Sequence, residues 1–372
     1  MQINPSRIER YFEKYEFNTP YLLCSSDCES FAVKDLLRLE NGAEERFVDL
    51  HLGYTETRGN PELREAISTL YEICKEDHVM VFAGAEEGVF CTLHAILNEG
   101  DHYIVQHPNY QSLQEIPTSI GCEISQWELS HSDSWSFHLD KLERLIKPNT
   151  RAICINNPHN PTGAIMSRDE LNELISIASK HDLYIFSDEV YRFSEYDKAD
   201  RLPAVCDLYE KGASLGVMSK SFGLPGLRIG WITTRDNNLF KSIAQIKDFI
   251  TICNSAPSEF LATIALRNID VLMKRNMRII RKNLKLLDEF FKQHNQQVRW
   301  VRPKAGPITL VEIIPKIDMT AFSEHLRKEQ GVLILPGSIF DYSDQHFRLG
   351  FGRDNLPAAL KKFEGFLIKS FS

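Results

Sequence analysis

The chain has 372 residues, 43% apolar and 25% charged, the proportions of an ordinary soluble globular protein with length for two domains. Its net charge of −8 speaks against a non-specific nucleic-acid binder, and no apolar run nears the roughly 18 residues needed to span a bilayer. The opening Met1–Arg7 lacks the apolar centre of a signal peptide, and the eight cysteines, with Cys24 and Cys28 closest together, show no repeated short spacing. Reduced thiols in a cytoplasmic protein are therefore expected, and no metal site.

Charged helical sequence runs from Ile8 to Tyr15, and apolar residues at helical spacing predict a helix from Phe31 to Leu39. Asn60 and Pro61 read as the cap and first turn of another. From about residue 78 the chain alternates. Strands are predicted at His78–Phe82, Tyr103–Val105, Ala152–Ile155, Leu183–Phe186, Leu215–Met218 and Ile229–Ile232, with helices at Glu86–Leu97 and Glu170–Ser179 among them. This alternation implies an α/β fold with a mainly parallel sheet flanked by helices. A long basic amphipathic helix over Asp270–His294 then leads to a smaller α+β unit. That unit has predicted strands at Thr309–Ile313, Val332–Ile334 and Phe347–Leu349, a helix at Met319–Glu329 and a C-terminal helix. The expected division is a large domain over 45–270 and a small domain built from 1–44 and 271–372.

The unusual polar residues fall just past strand ends. Asn160, Asp188, Tyr191 and Lys220 each follow a predicted parallel strand, and those C-terminal ends share the sheet edge where open α/β proteins bind ligands. Taken singly, each has a plainer reading. A lysine after a strand is usually a surface residue, an aspartate can cap a helix, and tyrosines usually pack. Together they suit a cofactor carrying an aldehyde, a pyridine ring and a phosphate, which is pyridoxal 5'-phosphate. Lys220 supplies the Schiff-base amine and a proton shuttle, and Asp188 pairs with the ring nitrogen. Tyr191 and Asn160 hydrogen-bond the phenolic oxygen, and Tyr110 stacks on the ring face. Gly84, Ala85 and Glu86 open a helix directly after a strand and offer free N–H groups to the phosphate. Ser219 and Arg228 add a hydroxyl and a cation.

Asn157-Pro158-His159-Asn160-Pro161-Thr162-Gly163, Asp188-Glu189-Val190-Tyr191 and Ser219-Lys220 through Gly230 resemble the motifs of the class I/II aminotransferases, fold-type I pyridoxal phosphate enzymes. The resemblance implies a large domain with a seven-stranded sheet and a smaller α+β domain. It also implies a homodimer with shared sites, in which Tyr54 reaches the phosphate of the neighbouring subunit. Arg348, in Phe347-Arg348-Leu349-Gly350, would bind the substrate α-carboxylate beside Asn160. The Gly-Leu-Pro-Gly-Leu-Arg loop is similar to that of a subgroup including capreomycidine synthase-like enzymes, which act on arginine derivatives, and many ordinary aminotransferases. Two departures stand out. Val217 occupies a position where many members carry a phosphate-binding serine. The segment Leu22–Asp27, where the family closes over substrate, fits no subgroup pattern.

The expected function is transfer of an amino group between an amino acid and a 2-oxo acid. The alternative keeps the cofactor but ends in elimination, or in cyclising replacement. A regulatory module without turnover is disfavoured, because no space for a DNA-binding domain precedes the first motif.

Overall fold

A computed structural model describes residues 2–371; Met1, at the head of the opening segment read above, lies outside them. In chain order the described strands are β1 (Tyr21–Leu22), β2 (Val79–Phe82), β3 (His102–His107), β4 (Glu123–Glu128), β5 (Thr150–Asn156), β6 (Tyr184–Asp188) and β7 (Gly212–Val217). They continue with β8 (Gly230–Thr234), β9 (Val298–Trp300), β10 (Ile308–Ile313), β11 (Val332–Leu333), β12 (Leu335–Pro336) and β13 (His346–Gly350).

Seven strands make one sheet in the order β2-β8-β7-β6-β5-β3-β4. Neighbours from β7 through β4 pair in parallel, while β8 runs antiparallel to both β2 and β7. The mainly parallel seven-stranded sheet expected above is therefore present. Its central strands are buried on both faces, hence their nearly continuous apolar sequence. Val105, Cys154, Phe186 and Leu215 meet helices Ala85–Ile96 and Asn237–Lys247 on one face. Ile104, Ile153, Ile155 and Ile185 meet helix Arg168–Lys180 on the other. Each such side chain contributes about 1.5–3 kcal/mol by leaving water.

The remaining sheet, β12-β13-β10-β9, is antiparallel, and β1 pairs in parallel with β11. Helices Ile269–Gln293, Met319–Gln330 and Leu356–Phe371 pack around a core containing Leu284, Val311, Leu326, Phe347 and Phe363. The long helix matches its expected span to within a residue at each end. Leu36, Leu37 and Ala43 pack away from this core, against Leu63 and Ile264 beside the larger sheet.

Candidate active site

The ends of β5 and β6 lie side by side, with Asn156 in register with Asp188. The backbone N–H of Asn157 and the Asn156 Nδ2 both donate to the Asp188 carbonyl, at 3.0 and 2.9 Å. This lock places Asn160, Asp188 and, past β7, Lys220 on one cleft of about 540 Å³. Tyr110, Ala85, Glu86, Ser219, Arg228 and Arg348 line the same cleft.

Lys220 Nζ donates to Ser26 Oγ at 3.0 Å. Burial lowers the Lys220 pKa, opposed by the charges of Asp27 and Asp188 and reinforced by that of Arg348. An amine moved in this direction spends more time as the neutral base. Asp188 is 7% exposed, and among the described residues its carboxylate accepts one hydrogen bond, from the Val190 N–H at 3.2 Å. With no salt bridge to restore its charge, burial pushes its carboxyl up to about 7. A buried carboxyl in that condition fits a cationic ring nitrogen. Asn160 Oδ1 accepts from Arg348 Nη1 at 3.2 Å, and among the described residues its Nδ2 has no acceptor, so the amide can still donate into the cleft. Arg348 is 2% exposed and is held by the Cys24 carbonyl through Nε and Nη2, at 3.3 and 2.9 Å. Arg348 lines the cleft, and a guanidinium is suited to a carboxylate.

The phosphate position is built by close approach. Gly84 has φ +96°, and a Cβ there would stand 2.5 Å from Arg228 Nη2. Only glycine lets this exposed guanidinium lie against the first turn of helix Ala85–Ile96. That turn supplies N–H groups without intrahelical partners. Glu86 opens to solvent at the cleft mouth, yet surrounding protein raises its carboxyl pKa. Val217 is buried at the end of β7 and offers the phosphate no hydroxyl. Ser219 lines the cleft two residues later.

Two expected residues are placed differently from the others. Tyr191 is buried, and its hydroxyl donates to the Ser26 carbonyl at 3.1 Å. Tyr54 is 94% exposed and reaches no part of this cleft.

Several cleft residues were not found from the sequence. Ser26 contacts Lys220, and the Cys24 carbonyl contacts Arg348, so the unassigned 22–27 segment forms the cleft roof. The first helix, Arg7–Tyr15, adds Ile8, Glu9 and Phe12, and the following turn adds Glu16. The signal available was their spacing: Ile8, Phe12 and Glu16 are four apart and share a helix face.

This sheet edge, with its lysine, buried aspartate and glycine-opened helix, defines a pyridoxal phosphate enzyme of fold type I. A sequence profile for "Aminotransferase class I and II" matches residues 22–362, and the chain belongs to that family. A solved PLP-dependent aminotransferase from Streptococcus suis superposes with a TM-score of 0.94 at 32% identity, covering 99% of each chain. Capreomycidine synthase of Streptomyces vinaceus is 27% identical over 293 residues, 79% of this chain and 75% of that protein. Arginine–pyruvate transaminase of Pseudomonas aeruginosa is 27% identical over 308 residues, 80% of this chain and 77% of that one. The protein is a pyridoxal phosphate-dependent aminotransferase, acting on amino acids and 2-oxo acids.

Proposed function

We propose that this aminotransferase takes its amino group from a donor with a cationic side chain. The observation that carries the reading is the charge balance of the cleft. Bound there, pyridoxal phosphate supplies an aldehyde and an electron-withdrawing ring. Asp188 would meet the ring nitrogen, Asn160 and Tyr191 the phenolic oxygen side, and Tyr110 the ring face. Gly84, Ala85, Glu86, Ser219 and Arg228 would hold the phosphate end, and Arg348 with Asn160 the substrate α-carboxylate. Lys220 would carry the cofactor and move the α-proton. Those assignments use the cleft cations and Asp188. Asp27 is already paired with Arg353, at 3.0 Å. Among the described residues the Glu9 carboxylate accepts only from the Tyr110 hydroxyl, at 3.3 Å, and the Glu16 carboxylate has no hydrogen bond or salt bridge. Burial and the nearby Asp27 charge raise the Glu16 pKa. Two carboxylates thus remain on the helix wall facing the donor's side chain, where a guanidinium or ammonium would relieve them. The name of the arginine–pyruvate transaminase relative supports the same substrate class.

The test is a donor screen followed by cofactor absorbance, with and without a 2-oxo acid acceptor. Cationic donors should lead in kcat/KM, and Glu16→Gln should reduce that lead about ten- to a hundred-fold, the range for a hydrogen bond to a charged group. Equal use of neutral donors by the wild type would sink the substrate reading. Ammonia release without acceptor would favour elimination. Full turnover by Lys220→Ala would remove the lysine from its role.

Three further assignments are proposed with it. The chain works as a homodimer in which Tyr54 completes the neighbour's phosphate site. It works in the cytoplasm, without nucleic-acid or membrane partners; among the described residues no helix is long and apolar enough to cross a membrane. Its two domains divide near residues 45 and 270, with Leu36, Leu37 and Ala43 leaning on the larger one.

A further inference from the structure

Away from the cleft, three chemistry-bearing side chains meet where the four-stranded sheet faces the larger one. Glu312 on β10 and His346 on β13 are register partners across an antiparallel pair. His131 joins them from the turn after β4, more than 180 positions away in sequence. Their ligand atoms all lie within 4.8 Å of one another. His346 is 5% exposed and His131 9%, so both imidazoles are nine-tenths buried or more. Among the described residues, neither ring nitrogen of His346 has a hydrogen-bond partner, and neither does His131 Nε2. Leaving such groups unpaired inside a protein is costly, and each one calls for a ligand.

We propose that His131, Glu312 and His346 form a binding site for a divalent transition cation of borderline softness, with Zn²⁺ the best match. Two imidazoles and one carboxylate are a common set of three protein ligands, leaving a fourth position for water. His131 Nδ1 already lies 3.1 Å from Glu312 Oε2. Ligand atoms around a tetrahedral zinc sit about 3.4 Å apart, given bonds of about 2.0–2.1 Å, so the set closes with side-chain shifts of about 1 Å. Arg299 holds Glu312 Oε2 at 2.5 Å through Nη2 and 2.7 Å through Nε, while among the described residues Oε1 accepts no hydrogen bond. A second cluster among the described residues, Cys74, Cys206 and Asp207, is a poorer candidate. The Asp207 oxygens are occupied by the N–H groups of Glu72, Ile73 and Cys74 at 2.8–3.0 Å.

The position gives the site a consequence. His346 and Arg348 are two residues apart on β13 and share a strand face, about 7 Å from one another along the strand. A cation bound by His131 as well would pin the strand that carries Arg348 against the larger sheet. The sequence gives little sign of this, because its three residues lie on separate elements with no short spacing.

The test uses the full-length holoenzyme, stripped with a chelator and titrated with Zn²⁺ against a chromogenic competitor, with Co²⁺ as a spectroscopic probe. The expected result is one tight Zn²⁺ per chain, a tetrahedral Co²⁺ visible spectrum and a higher Tm with metal. Glu312→Gln and His131→Gln should each weaken Zn²⁺ binding by more than the 10–100-fold that outer-shell losses cost. Glu312→Gln is the safer variant for folding, because its side chain is only partly buried and keeps its volume. A wild type without stoichiometric Zn²⁺ would overturn the proposal. So would Zn²⁺ binding that survives both substitutions, or that is lost in Cys74→Ser instead.

Discussion

Asp188 is the residue whose chemistry changes most when the cofactor binds. Its carboxyl, ordinarily near 3.8, is raised to about 7 by burial. A group that holds its proton more tightly folded than unfolded makes the free protein lose stability as pH climbs between those two values. The three-unit rise sets an upper bound of about 4 kcal/mol on that loss. A cationic ring nitrogen opposite the carboxylate would reverse it. The Tm increment conferred by pyridoxal phosphate should therefore grow between about pH 4 and pH 7, and Asp188→Asn should flatten that growth. Titration of the cofactor phosphate is common to both proteins, so the comparison isolates the carboxylate. An increment of the same slope in wild type and Asp188→Asn would rule out the ion pair. Asp188, Asn160 and Lys220 were legible in the sequence because each lies at or just past the end of a strand with a strong apolar signature, and Arg348 through the resemblance of Phe347-Arg348-Leu349-Gly350 to the family's small-domain segment. Glu9, Glu16 and Ser26 were not. They reach the cleft by packing of an amphipathic helix and an irregular segment, and local sequence carries no direction for either.

Elements explain how the roof of the cleft is held. Gly350 closes β13, and its N–H donates to the Leu23 carbonyl at 2.9 Å. A Cβ at Gly350 would stand 1.9 Å from the Ser25 carbonyl oxygen, a backbone atom that cannot swing aside. Gly350→Ala should thus push the 23–27 segment outward. That segment supplies the Cys24 carbonyl to Arg348 and the Ser26 hydroxyl to Lys220. The expected outcome is a raised KM for the amino donor together with a Tm loss of about 1–3 kcal/mol equivalent, the usual cost of overpacking. Wild-type KM and Tm would show that the segment is not fixed by this contact. The same scale shows where sequence reading stopped. The edge strand β4 was missed because Glu123-Ile124-Ser125-Gln126-Trp127-Glu128 is half polar and mostly part-exposed. The apolar run of β8 was found, but its antiparallel direction was not, since direction is set by where the connecting loop lands rather than by side-chain type.

At the scale of the molecule, two segments expose large apolar residues. Val48, Leu52 and Tyr54 are 77%, 81% and 94% exposed, and Phe249 is 93% exposed. The two segments are tied together by the Thr55 hydroxyl, which donates to the Asn254 carbonyl at 3.2 Å. Ile250 also lines an apolar recess of about 480 Å³ that shares Glu86 with the cleft. A monomer seldom leaves so much large apolar surface in water, and a two-fold pair buries the same patch on both copies. Sedimentation should accordingly give twice the 42.8 kDa chain mass. Phe249→Asp places a charge in the middle of that patch and should shift the protein to single chains. If Tyr54 serves the neighbour's phosphate, those single chains should also bind pyridoxal phosphate more weakly, with dilution of the wild type producing the same loss. A Phe249→Asp monomer with full cofactor affinity and turnover would show that each chain holds a complete site, and would leave Tyr54 without that task.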